Sequence, residues 1–183
     1  MRWDRLFRDL EAQLDAADAA ELDAEVAERT RLESALVALV DRVRGASGSR
    51  VSVMVMGTGV VEGVLLDAGS QWLLLAEDGG REAVLPLSAV LSLAGLGART
   101  AVPGGQVFAR LGLAAALRAI ARDRAAVSVG LVDGGVLTGT LDRVGADFVE
   151  VSLHGAGEPR RRDEVSGVRT VPFVALAHVR SGP

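Results

Sequence analysis

The residues from Val51 to Leu66, VSVMVMGTGVVEGVLL, run an apolar strand-like segment into clustered glycines, the usual start of a phosphate-binding turn. The acidic pair Glu77-Asp78 follows at about the distance where a dinucleotide-binding domain keeps its ribose-binding carboxylate. Such a site also needs its glycines to open a helix, because the free amides of the helix N-terminus carry the phosphate. Here Gly63 is followed by Val64-Leu65-Leu66-Asp67-Ala68-Gly69, which is strand material, and the last glycine of GTGVVEG falls one residue late. The pattern predicts a hairpin rather than a nucleotide cradle.

Other chemistry has little to draw on. Cysteine is absent, which removes disulfides, thiolate zinc sites and thiol nucleophiles together. The two histidines, His154 and His178, read as structural, and no serine stands in a nucleophile-elbow context. No catalytic residue, cofactor or metal is expected, and the protein reads as non-enzymatic. The carboxylates Asp15, Asp18, Glu21, Asp23, Glu25 and Glu28 share a helical segment and suit a solubilising or partner-facing stripe. Three adjacent arginines, Arg160, Arg161 and Arg162, stand beside Glu158, Asp163 and Glu164, which nearly cancel them.

Composition narrows the partners. All 20 basic residues are arginine, and the formal net charge is −4, so a nucleic-acid partner is disfavoured unless a local basic patch overrides the whole. Aromatic residues are only 3% of the chain, which leaves few stacking platforms for single-stranded nucleic acid. No run approaches the roughly 18 apolar residues of a membrane span. The opening MRWDRLFRDL has no signal-peptide core. A cytoplasmic protein with no membrane partner is expected.

The elements that carry these residues follow from periodicity. From Trp3 to about Arg44, apolar residues recur by threes and fours at Leu6, Leu10, Leu14, Leu22, Val26, Leu32, Leu36, Leu39 and Val43, which predicts one long helix or two with a bend near Thr30. Gly45 to Arg50 reads as a linker, and beyond it the period becomes two. Val51–Ala76 aligns without a gap on Val127–Ser152, with Gly59, Gly63 and Gly69 in register with Gly135, Gly139 and Gly145. After ten extra residues in the second copy, Val84–Leu93 aligns on Thr170–Val179. A helical stretch, Phe108–Arg122, precedes the second copy as Leu32–Arg44 precedes the first. Gly63 and Gly139 face inward by alternation and suit a sharply bent strand.

The motif from Asp133 to Leu141, DGGVLTGTL, resembles the Sm-like small barrel, an SH3-like five-stranded fold with an N-terminal helix. The resemblance implies an α+β chain: a long N-terminal helix, then two tandem five-stranded barrels, each preceded by a helix. The corresponding divisions are 1–46 for the helical segment, 47–97 for the first barrel, 98–106 for a linker and 107–183 for the helix and second barrel. The base-binding Asp and Asn of RNA-binding Sm proteins are replaced by Gly69 and Leu73 in one copy and by Gly145 and Val149 in the other, so uridine recognition is not implied. The chain also resembles an actinobacterial family described as Fis-type transcriptional regulators, through Ala109-Arg110-Leu111-Gly112-Leu113 and Leu117-Arg118. The partner helix that such a DNA reader requires upstream is replaced by Val102-Pro103-Gly104-Gly105.

The copies differ most on the side expected to face outward. The first carries Met54, Met56, Val60, Val64, Leu66 and Leu74, where the second has Gly130, Val132, Val136, Thr140, Asp142 and Glu150. The greasier face calls for a cover: the N-terminal helix, the other barrel, or a protein partner or second copy of the chain. The expected function is assembly or scaffolding through the barrels and the acidic helix. The alternative is a transcriptional regulator or nucleic-acid binder using Arg118, Arg122, Arg124, Arg160, Arg161 and Arg162.

Overall fold

The computed structural model describes residues 2–101, 111–154 and 167–181. The chain divides into two compact units, residues 1–38 and 39–183. The first holds α1, Arg2–Ala35, a helix of 34 residues free of proline and glycine. Leu22, Val26 and Leu32 are exposed along it.

The second unit is built around one sheet. The short helix α2, Leu39–Gly45, puts Val43 into the core. Five strands follow: β1 Arg50–Val55, β2 Gly59–Ala68, β3 Trp72–Glu77, β4 Glu82–Pro86 and β5 Val90–Ala94. Helix α3, Leu113–Asp123, precedes β6 Ala126–Leu131, β7 Val136–Val144, β8 Phe148–Leu153, β9 Gly167–Pro172 and β10 Leu176–Ser181. In β1 the buried Val51, Val53 and Val55 alternate with more exposed neighbours, whereas β4 is buried at four of its five positions.

These ten strands form a single antiparallel sheet in the order β5-β1-β2-β3-β4-β10-β6-β7-β8-β9. The expected α+β arrangement with two closed five-stranded barrels is therefore incorrect: the strands make one open, mainly β layer. Closing each barrel would require β4 to pair with β5 and β9 with β10. Instead a 3-10 turn at Leu87–Ala89 carries the chain across to β1, where β5 pairs. The outer edge of β4 then accepts β10, with Val84 opposite Val179 and Ala83 opposite Arg180.

Within each block of five the strand order is the same, and each block has its own buried cluster. The long strands β2 and β7 shift register at matching points, between Leu65 and Asp67 and between Leu141 and Arg143. A bulge of this kind bends a strand and increases its twist. Gly63 and Gly139 sit just before these bulges. A Cβ on Gly63 would lie 2.4 Å from the Ala76 carbonyl oxygen, so β3 approaches too closely for any side chain there.

The two clusters interlock at the middle of the sheet. Ala177 of β10 belongs to the first cluster, whereas Trp72 and Val84 of the first block belong to the second. Helix α3 packs against β7 and puts Leu113 and Leu117 into the second cluster. The Trp72 indole donates to the Leu111 carbonyl at 3.0 Å, and Gln71 accepts from the Leu113 amide at 3.2 Å.

Candidate interaction surfaces

The opening glycine cluster is the β1–β2 hairpin. Met54 pairs with Val60 and Val55 with Gly59, and Gly57 turns at φ +70°. No helix follows the glycines, so their amides are not gathered for phosphate. Met54 and Val60 stand directly opposite each other, 39% and 53% exposed. Met56 and Leu66 are also exposed, and Val64 is half-buried opposite Arg50. The margin of this face is charged: the Arg50 guanidinium donates to both oxygens of Asp78, at 3.1 and 2.6 Å. That contact holds the Asp78 carboxyl below its usual range.

The matching face of the second block is covered in part, although Val136, the counterpart of Val60, is 61% exposed. Gly130 and Thr140, expected to face outward, are buried. The His178 ring fills the space where a Gly130 side chain would stand, and the Thr140 hydroxyl bonds His154 Nε2 at 2.8 Å. Alternation alone missed this, because it does not tell which face a neighbouring strand's side chain covers.

A second surface gathers arginines. Arg118, Arg122 and Arg124 line an open groove of about 540 Å³ with Asp142 and Val144. Helix geometry puts Arg118 and Arg122 on one face, four residues apart. Arg124 caps the helix in the left-handed region at φ 50°. Arg118 also donates to the Gly145 carbonyl at 3.0 Å, which ties the groove to the turn after β7. Its chemistry suits a carboxylate or phosphate. Arg160, Arg161 and Arg162 lie outside the described residues.

The structure adds a polar network that sequence reasoning did not foresee. At the β4–β10 junction, Arg180 pairs with Glu77, Nη2 to Oε1 at 2.9 Å and Nε to both oxygens at 3.0 and 3.1 Å. Arg180 Nη1 lies 3.2 Å from His178 Nε2, and His178 Nδ1 lies 2.9 Å from the Thr58 hydroxyl. A guanidinium can only donate, so Nε2 is the acceptor and Nδ1 carries the proton donated to Thr58. Burial, then the Arg180 charge, lowers the His178 pKa to about 4. The two hairpin turns also touch: a Cβ on Gly57 would lie 2.6 Å from the Val132 carbonyl.

On α1, Leu22 and Val26 are exposed among Glu21, Asp23, Glu25 and Glu28, which are also exposed. Among the described residues no three His, Asp or Glu side chains gather as a metal site. Among them, too, no helix is long and apolar enough to cross a membrane. Compared with protein-family models and with characterised proteins, the chain finds no match in either.

Proposed function

We propose that this protein is a non-enzymatic assembly or scaffold component that binds protein through its sheet and through the acidic helix α1. The observation that carries the reading is the exposed Met54–Val60 pair, flanked by Met56 and Leu66 and edged by Arg50 and Asp78. Adjacent bare apolar side chains with a charged margin have the anatomy of a protein interface, whose centre is apolar and whose rim is polar. The exposed Leu22 and Val26 of α1 add a second apolar stripe that a partner helix fits.

A second reading is favoured by the groove of Arg118, Arg122 and Arg124. It makes the protein a nucleic-acid binder whose local basic patch acts against a net charge of −4. One comparison separates the two. Capture from the native host's lysate should retain a defined protein on the wild-type chain and lose it on a folded Met54→Glu/Val60→Glu variant. Binding of random duplex DNA or RNA that persists at physiological salt, and falls in Arg118→Glu/Arg122→Glu, would overturn the scaffold reading.

A further inference from the structure

The sheet ends on two strands with no described partner on their outer sides, β5 and β9. The sequence alignment says what each end resembles. Val84 aligns with Thr170 and Leu93 with Val179, so β9 is the counterpart of β4, and β5 is the counterpart of β10. Inside the molecule β4 and β10 pair with each other. The two ends are therefore counterparts of two strands that already bind one another, and the central junction is a template for joining one end to the other.

We propose that the chain associates head to tail with further copies of itself, β5 of one copy pairing antiparallel with β9 of the next. The template sets the register. Val179 opposite Val84 becomes Leu93 opposite Thr170, and Arg180 opposite Ala83 becomes Ala94 opposite Arg169.

Side chains at the two ends support the same contact. In β10 the register against β6 skips Ala177, and in β5 the register against β1 skips Leu91. These two bulge residues are aligned with each other. Ala177 is 0% exposed and belongs to the first block's core, beside the turn Leu87–Ala89 that β10 contacts. Leu91 is 59% exposed, and the turn aligned with Leu87–Ala89 is Phe173–Ala175, whose Val174 is 81% exposed. The contact brings Leu91 onto that turn and covers both.

The end-to-end contact differs from its template in chemistry. Arg180 and Glu77, which form the central ion pair, align with Ala94 and Leu153. The contact between copies is thus backbone pairing with apolar cover. Its two halves are different surfaces, so repetition yields a closed ring if the rotation closes and a filament if it does not.

This inference rests on the assembly reading, and its test is independent of the Met54 face. The chain has no cysteine, so an Ala94→Cys/Arg169→Cys variant reports only the designed contact. Under mild oxidation at high micromolar concentration it should form disulfide-linked dimers and higher species. An Ala94→Cys/Val168→Cys control, whose second thiol points to the opposite face of β9, should not. Leu91→Lys, at an exposed site, should keep the wild-type circular dichroism and melting temperature while the light-scattering mass falls to that of one chain. A wild-type protein that stays single-chain at high micromolar concentration overturns the inference. So does equal cross-linking in both cysteine pairs, or an unchanged mass in Leu91→Lys. If any of these occurs while capture still depends on Met54 and Val60, the assembly reading survives and only this inference falls.

Discussion

His178 and Thr58 are 120 residues apart in sequence and 2.9 Å apart in the fold, bonded across the middle of the sheet. The bond requires a neutral ring with its proton on Nδ1, because the Arg180 guanidinium donates to Nε2. Protonating Nε2 would set one donor against another beside a fixed positive charge.

Acid should therefore weaken the fold through this histidine. Its folded pKa is about 4, against 6.5 unperturbed, so between these values the unfolded chain binds a proton that the folded chain does not. The contribution is complete above about pH 6.5, declines as pH falls, and is gone below about pH 4. The full loss is roughly 3 kcal/mol. Urea melts of the wild type and His178→Gln at pH 7 and pH 4.5 check it. The variant should lose less stability on acidification, and equal losses would refute the assignment.

Removing one partner of the Glu77–Arg180 pair should cost more than removing both. The side chains are 10% and 22% exposed, so Glu77→Ala strands a largely buried guanidinium, at a cost of about 3 kcal/mol. Glu77→Leu/Arg180→Met replaces the pair with apolar side chains and should lie nearer the wild type. Chemical denaturation of the single and double variants measures the difference. A double variant as unstable as the sum of its single changes would sink the idea.

Alanine at Gly63 or Gly139 should destabilise by about 1–3 kcal/mol or more, because the obstructing atoms are backbone and cannot rotate away. Gly79 is a contrasting case. At φ +90° it has open space around its Cβ position, so Gly79→Ala tests conformation alone. Thermal melts should rank both bent-strand variants below Gly79→Ala.

Truncation should be sensitive to a few residues at the start of the sheet unit. A chain beginning at Leu39 keeps Val43, which is fully buried in the first cluster. A chain beginning at Gly45 loses it, at a cost of roughly 1.5–3 kcal/mol. Denaturation midpoints of the two truncated proteins should differ accordingly; equal midpoints would argue that α2 does not seal the core.

The parts of this fold that were legible in sequence are local. Val127, Val129 and Leu131 announce β6 by alternation, and the hairpin at Gly57–Gly59 follows from glycines between two apolar runs. Gly63 and Gly139 mark bends because a bend crowds its own neighbouring strand. The partner of β4 was not legible. Ala83 and Val84 carry the same apolar pattern whether β5 or β10 lies beside them, and nothing local distinguishes a closed barrel from a continuous sheet. The polar network was hidden for the same reason. Thr58, Glu77, His178 and Arg180 meet only once β10 has chosen the edge of β4. On the candidate surfaces, Met54 was readable from the contrast between aligned copies, where Gly130 takes its place, whereas Leu91 and Val174 gained meaning only from the order of the strands.

The position of β10 also sets an order in time. It is the last strand of the sheet to leave the ribosome, yet it supplies Ala177 to the first cluster as well as Leu176 and Val179 to the second. Until residues 176–181 have been synthesised, β4 presents an open edge to other nascent chains, and the first block lacks a member of its core. The two blocks thus complete folding together, once β10 has been made, rather than in the order they are made. A chain stalled before Leu176 would expose an aggregation-prone edge in its earlier half.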